Sequence, residues 1–256
     1  DVQHIKLDLR LDIPKKSVSG AASLTVRPIA DAVATLELDA VQLRVTSVTC
    51  EGKPVAFANT GEKLALTFNP PLAPDGEVTL VVKYSATPRK GLYFVGPDKH
   101  YPRRHAEVWS QGEDEDNRHW FPCFDYPNEK ATSELVAAVP GDWFCLSNGR
   151  LISRRPGAGG TMVYHWLQDV PHVSYLIALC AGRYVEAAGW WDGIPVRFYV
   201  PPGRVADGRR SFGRTPEMME FFSRLIGVRY PFAKYAQITA TDFHFGGMEN
   251  TSATTQ

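Results

Sequence analysis

Apolar and polar residues alternate with a period of two from the first residues of the chain. Ile5, Leu7, Leu9, Leu11 and Ile13 are interleaved with His4, Lys6, Asp8, Arg10 and Asp12. Successive side chains of an extended segment point to opposite faces, so this spacing predicts a strand with one buried face. The same spacing returns at Leu64, Leu66 and Phe68, and at Val78, Leu80, Val82 and Tyr84. Between them, Asn69-Pro70-Pro71 and Pro74-Asp75-Gly76 supply turns. Proline presets one backbone angle, and glycine reaches conformations closed to other residues. Further strands are predicted at Glu134–Val139, Trp143–Leu151 and Thr161–Leu167, with a hairpin tip over Arg154–Gly160. No helical period interrupts the chain before residue 130, which predicts sheet packed on sheet rather than a parallel α/β core.

The texture changes near residue 182. Tyr175–Cys180 is continuously apolar, as for a strand covered on both faces, and Gly182 closes it. This places an all-β domain over residues 1–182 and a second domain over 183–256. In the second, Ile194, Val196, Phe198 and Val200 alternate as a strand that Pro201-Pro202-Gly203 breaks. Thr215-Pro216-Glu217 has the form of a helix start, with proline in the first turn and an acid near the positive end. Met218, Met219, Phe222, Leu225 and Ile226 form one apolar face, read as core, and Gly227 fits the stop. Tyr235–Thr241 returns to strand and leads into Gly246-Gly247.

Composition narrows the function less than the pattern does. The 256 residues are 44% hydrophobic and 22% charged, with a formal net charge of zero, so no nucleic acid or acidic membrane is attracted electrostatically. No apolar run reaches the ~20 residues that span a bilayer. Cys50, Cys123, Cys145 and Cys180 lie far apart, without the spacing of a zinc ribbon or the density of a disulfide scaffold. They are expected to be free thiols, which fits the cytoplasm and leaves an exported form open.

Two segments carry candidate chemistry. The first is Gln111-Gly112-Glu113-Asp114-Glu115-Asp116-Asn117-Arg118. A run of acids is usually a solvated loop, and this one lacks the ligand spacing of a calcium loop. It leads directly into His119-Trp120-Phe121-Pro122-Cys123-Phe124-Asp125, however, which sets carboxylates at the rim of packed aromatic structure. Carboxylates in that setting can bind an ammonium group. The second is Gly246-Gly247-Met248-Glu249-Asn250. Paired glycines permit close backbone approach, which predicts an edge strand able to pair with an extended peptide, with the Glu249 anion beside its amino terminus.

Gly246-Gly247-Met248-Glu249-Asn250 resembles the G-x-M-E-N motif of the zinc aminopeptidases typified by alanyl aminopeptidase and leukotriene hydrolase. Gln111-x-Glu113, Arg118, Phe121-Pro122-Cys123-Phe124-Asp125, Pro127 and Lys130-Ala131 resemble a second stretch of that family, Q-x-E…R…F-P-C-F-D…P…K-A. Ser174–Leu179 and Asp1–Ile5 resemble two of its strands, and all these matches occur in the family's order. The resemblance implies a saddle-like all-β amino-terminal domain, followed by the opening part of an α/β thermolysin-like catalytic domain that stops before the zinc motif.

It also implies roles. Glu113 and Glu249 would bind the free α-amine of a peptide substrate, Gln111 and Met248 would line the pocket for its first side chain, and the Gly246 and Gly247 backbone would pair with it. Arg118 would organise the loop. The catalytic zinc, held in the family by H-E-x-x-H and a further glutamate, would belong to the longer protein. So would the rest of the catalytic domain and the carboxy-terminal domains, leaving this chain without zinc and inactive by itself. Asn117, where the family often has alanine, and the acidic run Asp114-Glu115-Asp116 are departures. The alternatives are a non-catalytic homologue that serves as a protein-binding scaffold, and an aminopeptidase that is also an epoxide hydrolase. Glu113, where the epoxide hydrolase branch is expected to carry glutamine, favours the plain aminopeptidase.

Overall fold

A computed structural model describes residues 1–256. In chain order, the first strands are β1 (Val2–Asp12), β2 (Ser17–Val26), β3 (Val33–Asp39), β4 (Arg44–Cys50) and β5 (Lys53–Pro54). They are followed by β6 (Ala56–Asn59), β7 (Lys63–Leu72), β8 (Val78–Ala86), β9 (Leu92–Val95) and β10 (Glu107–Ser110). Then come β11 (Lys130–Pro140), β12 (Phe144–Ser147), β13 (Arg150–Pro156), β14 (Thr161–Val173) and β15 (Leu179–Gly182). The remainder is β16 (Val185–Trp191), β17 (Ile194–Val200), α1 (Val205–Phe212), α2 (Thr215–Ile226), β18 (Tyr235–Ile238) and β19 (Ala253–Thr255).

These strands make four sheets. The largest has the order β13-β14-β11-β1-β2-β8-β4-β5, and beside it lie β3-β7-β6 and β12-β15-β10-β9. The fourth, β16-β17-β18-β19, carries both helices in its connections. The alternation in β1 matches its burial: Ile5, Leu7, Leu9 and Leu11 face the core. Burying such a face removes apolar area from water at about 25 cal/mol per Å². β1 pairs antiparallel with β2 but parallel with β11. A hairpin cannot join parallel neighbours, so the intervening chain builds the other strands before it returns.

One core of 44 buried residues joins the first three sheets and continues into the fourth through Tyr199, Ala236, Ile238 and Ala253. The other face of that fourth sheet makes only a four-residue cluster, Trp191, Ile194, Val196 and Met219. Most of the hydrophobic stabilisation therefore lies toward the large sheets. All four cysteines are free thiols, three of them buried. No helix is long and apolar enough to cross a membrane.

Several local expectations are corrected. Trp143–Leu151 is not one strand: the turn at Asn148-Gly149 sends β12 and β13 into different sheets. Gly149 has φ +71, and an added Cβ would lie 1.9 Å from the Leu167 carbonyl oxygen, so the turn requires glycine. Tyr175–Cys180 is split, with a short 3-10 turn over Ser174–Leu176 before β15. The α2 stripe is core only at Met219: Met218, Phe222, Leu225 and Ile226 are exposed, because nothing in the chain covers that side of the helix.

Candidate functional site

Strand β10 brings the two motif segments together. Its alternate side chains, continued one position beyond its end, are Glu107, Trp109 and Gln111, all buried. Glu107 accepts hydrogen bonds from the Tyr184 hydroxyl at 3.0 Å and from the Thr241 backbone N–H. Trp109 donates its indole N–H to the Thr241 carbonyl at 3.1 Å and meets Phe243 edge-on, with ring centroids 5.2 Å apart. Gln111 Nε2 donates to Met248 Sδ at 3.2 Å, across 137 positions of sequence. One face of β10 thus meets the chain from Thr241 to Met248.

Beyond Gln111 the chain turns away from the sheet at Gly112, where a Cβ would come within 2.6 Å of the Tyr175 carbonyl. Glu113, Asp114 and Glu115 then stand exposed. Arg118 ties this loop down. Its Nε is 3.2 Å from Asp125 Oδ2, its Nη2 is 2.7 Å from Glu115 Oε2, and its Nη1 is 3.4 Å from Asp39. Burial opposes the arginine charge, yet the Asp125 hydrogen bond and the neighbouring carboxylates hold its pKa above the ordinary value. Burial pushes the Asp125 carboxyl up against the pull of Arg118. Asn117, the departure from alanine, is fully buried and bonded at both ends of its amide. Nδ2 donates to the Ser174 carbonyl at 2.6 Å, and Oδ1 accepts from Trp120 Nε1 at 2.8 Å.

The Gly246–Glu249 segment is not the regular edge strand that the glycine pair suggested. Residues 245 and 246 are bends, and the strand is β19, five positions beyond Met248. The chain folds back so that the Met248 N–H donates to the Thr255 carbonyl at 2.8 Å and the Thr255 N–H returns to Met248 at 3.0 Å. Met248 is thereby buried at the outer edge of the fourth sheet, while Gly246, Gly247 and Glu249 stay exposed. From Asp242 to Gly247, no backbone N–H or carbonyl is hydrogen-bonded within the chain. Glu113 and Glu249 make no ion pair in the chain. The Gln111 Oε1 and Asn250 Oδ1 acceptors on either side of Met248 are buried without a partner, at a cost of roughly 1–3 kcal/mol each if they remain dry.

The turn after Glu249 is held by residues that the sequence did not single out. Asn148 Nδ2 donates to the Leu176 and Thr251 carbonyls, both at 2.8 Å, and the Gly149 N–H donates to Ser252 Oγ at 2.7 Å. His172 lies between Ser133 Oγ at 2.8 Å and Thr251 Oγ1 at 3.1 Å, and burial lowers its pKa to about 4. Lys234 is buried with no carboxylate partner. Its ammonium donates to the Ser147 carbonyl at 2.8 Å and Ser252 Oγ at 3.1 Å, over the face of Trp166, and burial drives its pKa well below the ordinary value. The available signals were the Asn148-Gly149 turn pair and a lysine set among aromatics at Tyr230-Pro231-Phe232-Ala233-Lys234-Tyr235.

Residues 2–176 match the Peptidase M1 N-terminal domain. The chain belongs to that family. It is 30% identical to aminopeptidase M1-A of Oryza sativa subsp. japonica, over 96% of this chain and 29% of that protein. It is 27% identical to leukotriene A-4 hydrolase of Xenopus laevis, over 98% of this chain and 42% of that protein. The chain thus spans less than half the length of these curated relatives and corresponds to their amino-terminal part. Its fold matches the M1 zinc metallopeptidase of Deinococcus radiodurans, solved with a Tyr-Ser-Ala substrate. The TM-score is 0.85 at 24% identity, covering all of this chain and 60% of that one.

Proposed function

We propose that residues 1–256 provide the amine-anchoring part of the substrate site in a zinc-dependent aminopeptidase that removes single residues from free peptide amino termini. Residues 1–182 act as an all-β domain and 183–256 as the opening of the catalytic domain, with the site at their seam. Glu249 and Glu113 hold the α-ammonium, Gln111 and Met248 line the first side-chain pocket, and the Gly246-Gly247 backbone pairs with the peptide.

The observation that carries this reading is the Gln111–Met248 contact, which joins two motifs from distant parts of the chain. The unpaired carboxylates and the free backbone of residues 242–247 support it. An ammonium group offers several donors, and each charge-assisted hydrogen bond contributes roughly 1.5–3 kcal/mol. An acylated amine cannot satisfy two carboxylates, so the anchor selects for a free terminus. No three His, Cys, Asp or Glu side chains of this chain gather where they could hold a metal ion. The zinc, which would supply an activated water when bound, would take its ligands from elsewhere in the longer protein. The apolar outer face of α2 also fits a chain that works together with further polypeptide.

The test is turnover by the longer protein of alanine arylamide and of its N-acetyl derivative. Hydrolysis of the free amine alone, abolished by a chelator and restored by zinc, is expected. Equal hydrolysis of the acetylated compound, or full activity in chelator, would overturn the reading.

A further inference from the structure

Of the 28 lysines and arginines, only Lys234 is buried, at 5% exposure. Taking an ammonium out of water without a carboxylate beside it is costly, and a methionine would pack on Trp166 without that cost. Stability alone therefore does not account for a lysine at this position. What the lysine does is join two parts of the fold. Its acceptors are the Ser147 carbonyl at the end of β12, at 2.8 Å, and Ser252 Oγ in the turn after Glu249, at 3.1 Å.

Ser252 is held in a conformation that serine disfavours. Its φ is +61, in the left-handed region that residues with a Cβ rarely adopt. The Ala253 N–H closes the turn on the Asn250 carbonyl at 2.9 Å, and the Ala236 N–H donates to the Ser252 carbonyl at 3.0 Å. Ser252 Oγ accepts from the Gly149 N–H as well as from Lys234. A strained backbone persists where its surroundings over-determine it, and these donors do so.

Glu249 directly precedes this turn and has no hold of its own. Its carboxylate makes no hydrogen bond or ion pair within the chain, and its backbone N–H and carbonyl are also unbonded. Its place is set from outside, by the Met248–Thr255 pair on one side and the turn over residues 250–253 on the other.

We infer that Lys234 is a positioning residue for substrate binding: by pinning Ser252 to the end of β12, it fixes the turn that aims the Glu249 carboxylate at the peptide amine. The inference rests on the amine-anchoring reading of Glu249. Lys234 itself touches no substrate. A misplacement of ~1 Å caused by a change away from the chemistry can cost on the order of a hundredfold. An anchor lost equally from bound substrate and transition state raises KM and leaves kcat in place.

The experiment is a double-mutant cycle in the full-length protein, reading kcat and KM for alanine arylamide, with zinc content and thermal stability on each sample. Lys234→Met should raise KM about tenfold and hold kcat within about twofold, with zinc retained and the thermal midpoint equal or higher. In a Glu249→Ala background the same substitution should change KM less than about twofold, because no anchor is left to position. If Lys234→Met does not fold, Ser252→Ala, which deletes only the oxygen that Lys234 holds, takes its place in the cycle with the same expected kinetics. An unaltered KM in Lys234→Met, a fall confined to kcat, or the same fold-change with and without Glu249 would overturn the positioning role alone. Kinetics unaltered by Glu249→Ala would overturn the amine-anchoring reading beneath it.

Discussion

Arg118 carries a fixed positive charge among Asp39, Asp125 and Glu115, the first two buried and the third at the surface. Removing one partner of a buried ion pair leaves uncompensated charge, which typically costs 3–5 kcal/mol. Lys63 also contacts Asp39, at 2.7 Å, so Asp125 suffers most. Arg118→Met should lower stability by about 3 kcal/mol in urea unfolding, and a change below about 0.5 kcal/mol, the usual range for a surface substitution, would contradict the role given to it. His172 sets an acid limit of another kind. Its pKa is about 4 in the folded chain against an ordinary 6.5, so its folded value is depressed. The neutral ring is fully compatible with the fold above pH 6.5. As pH falls from 6.5 to 4 the unfolded chain takes up a proton that the folded chain refuses, and up to ~3 kcal/mol of stability is lost. His172→Gln should flatten the stability–pH curve in that window, and an unaltered curve would show that other groups set the acid limit.

At the scale of elements, α2 and its surroundings combine an apolar face with little cover. Phe221, Leu225 and Ile226 are 59%, 68% and 68% exposed, a patch of the kind that normally marks an interface. This chain alone should therefore associate in sedimentation velocity. Leu225→Glu with Ile226→Lys should return it to a monomer, whereas monomeric behaviour of the unaltered chain at high concentration would show that the face needs no cover. The elements also differ in how much of them the sequence disclosed. β1 was legible because its period of two coincides with its burial. Its parallel pairing with β11 was not, because a partner far along the chain leaves no local mark. α1 was missed for a local reason: Gly208 sits in its middle, where glycine disfavours a helix by about 1 kcal/mol. A Cβ there would meet Val200 and Phe198 at 2.9 and 3.2 Å, so close packing explains the glycine. In α2 the stripe was legible, but whether anything covers it was not, since amphipathicity reports a face and never its partner.

Over the whole molecule, the candidate site depends on a seam. Glu107, Trp109 and Gln111 on one side, and Asn148, Gly149, His172 and Lys234 on the other, hold the chain from Thr241 to Ser252 against the large sheets. The two segments that meet were legible in the sequence, since Gln111, Glu113, Met248 and Glu249 lie in recognisable motifs and the Gln111–Met248 contact joins those motifs. The shape of the Gly246 segment could not, because it is set by the return of Thr255 onto Met248. The seam leaves Glu249 exposed and without an ion-pair partner beside backbone that is free to pair. The most direct test of that arrangement is kcat/KM for a free-amine arylamide in the longer protein carrying Glu249→Ala, with zinc content and thermal stability measured on the same sample. A fall of about a hundredfold, as loss of one or two charge-assisted hydrogen bonds implies, with zinc and stability intact, is expected. Efficiency within about twofold of the unmodified protein, a difference of only ~0.4 kcal/mol, would contradict the placement of the substrate amine at Glu249.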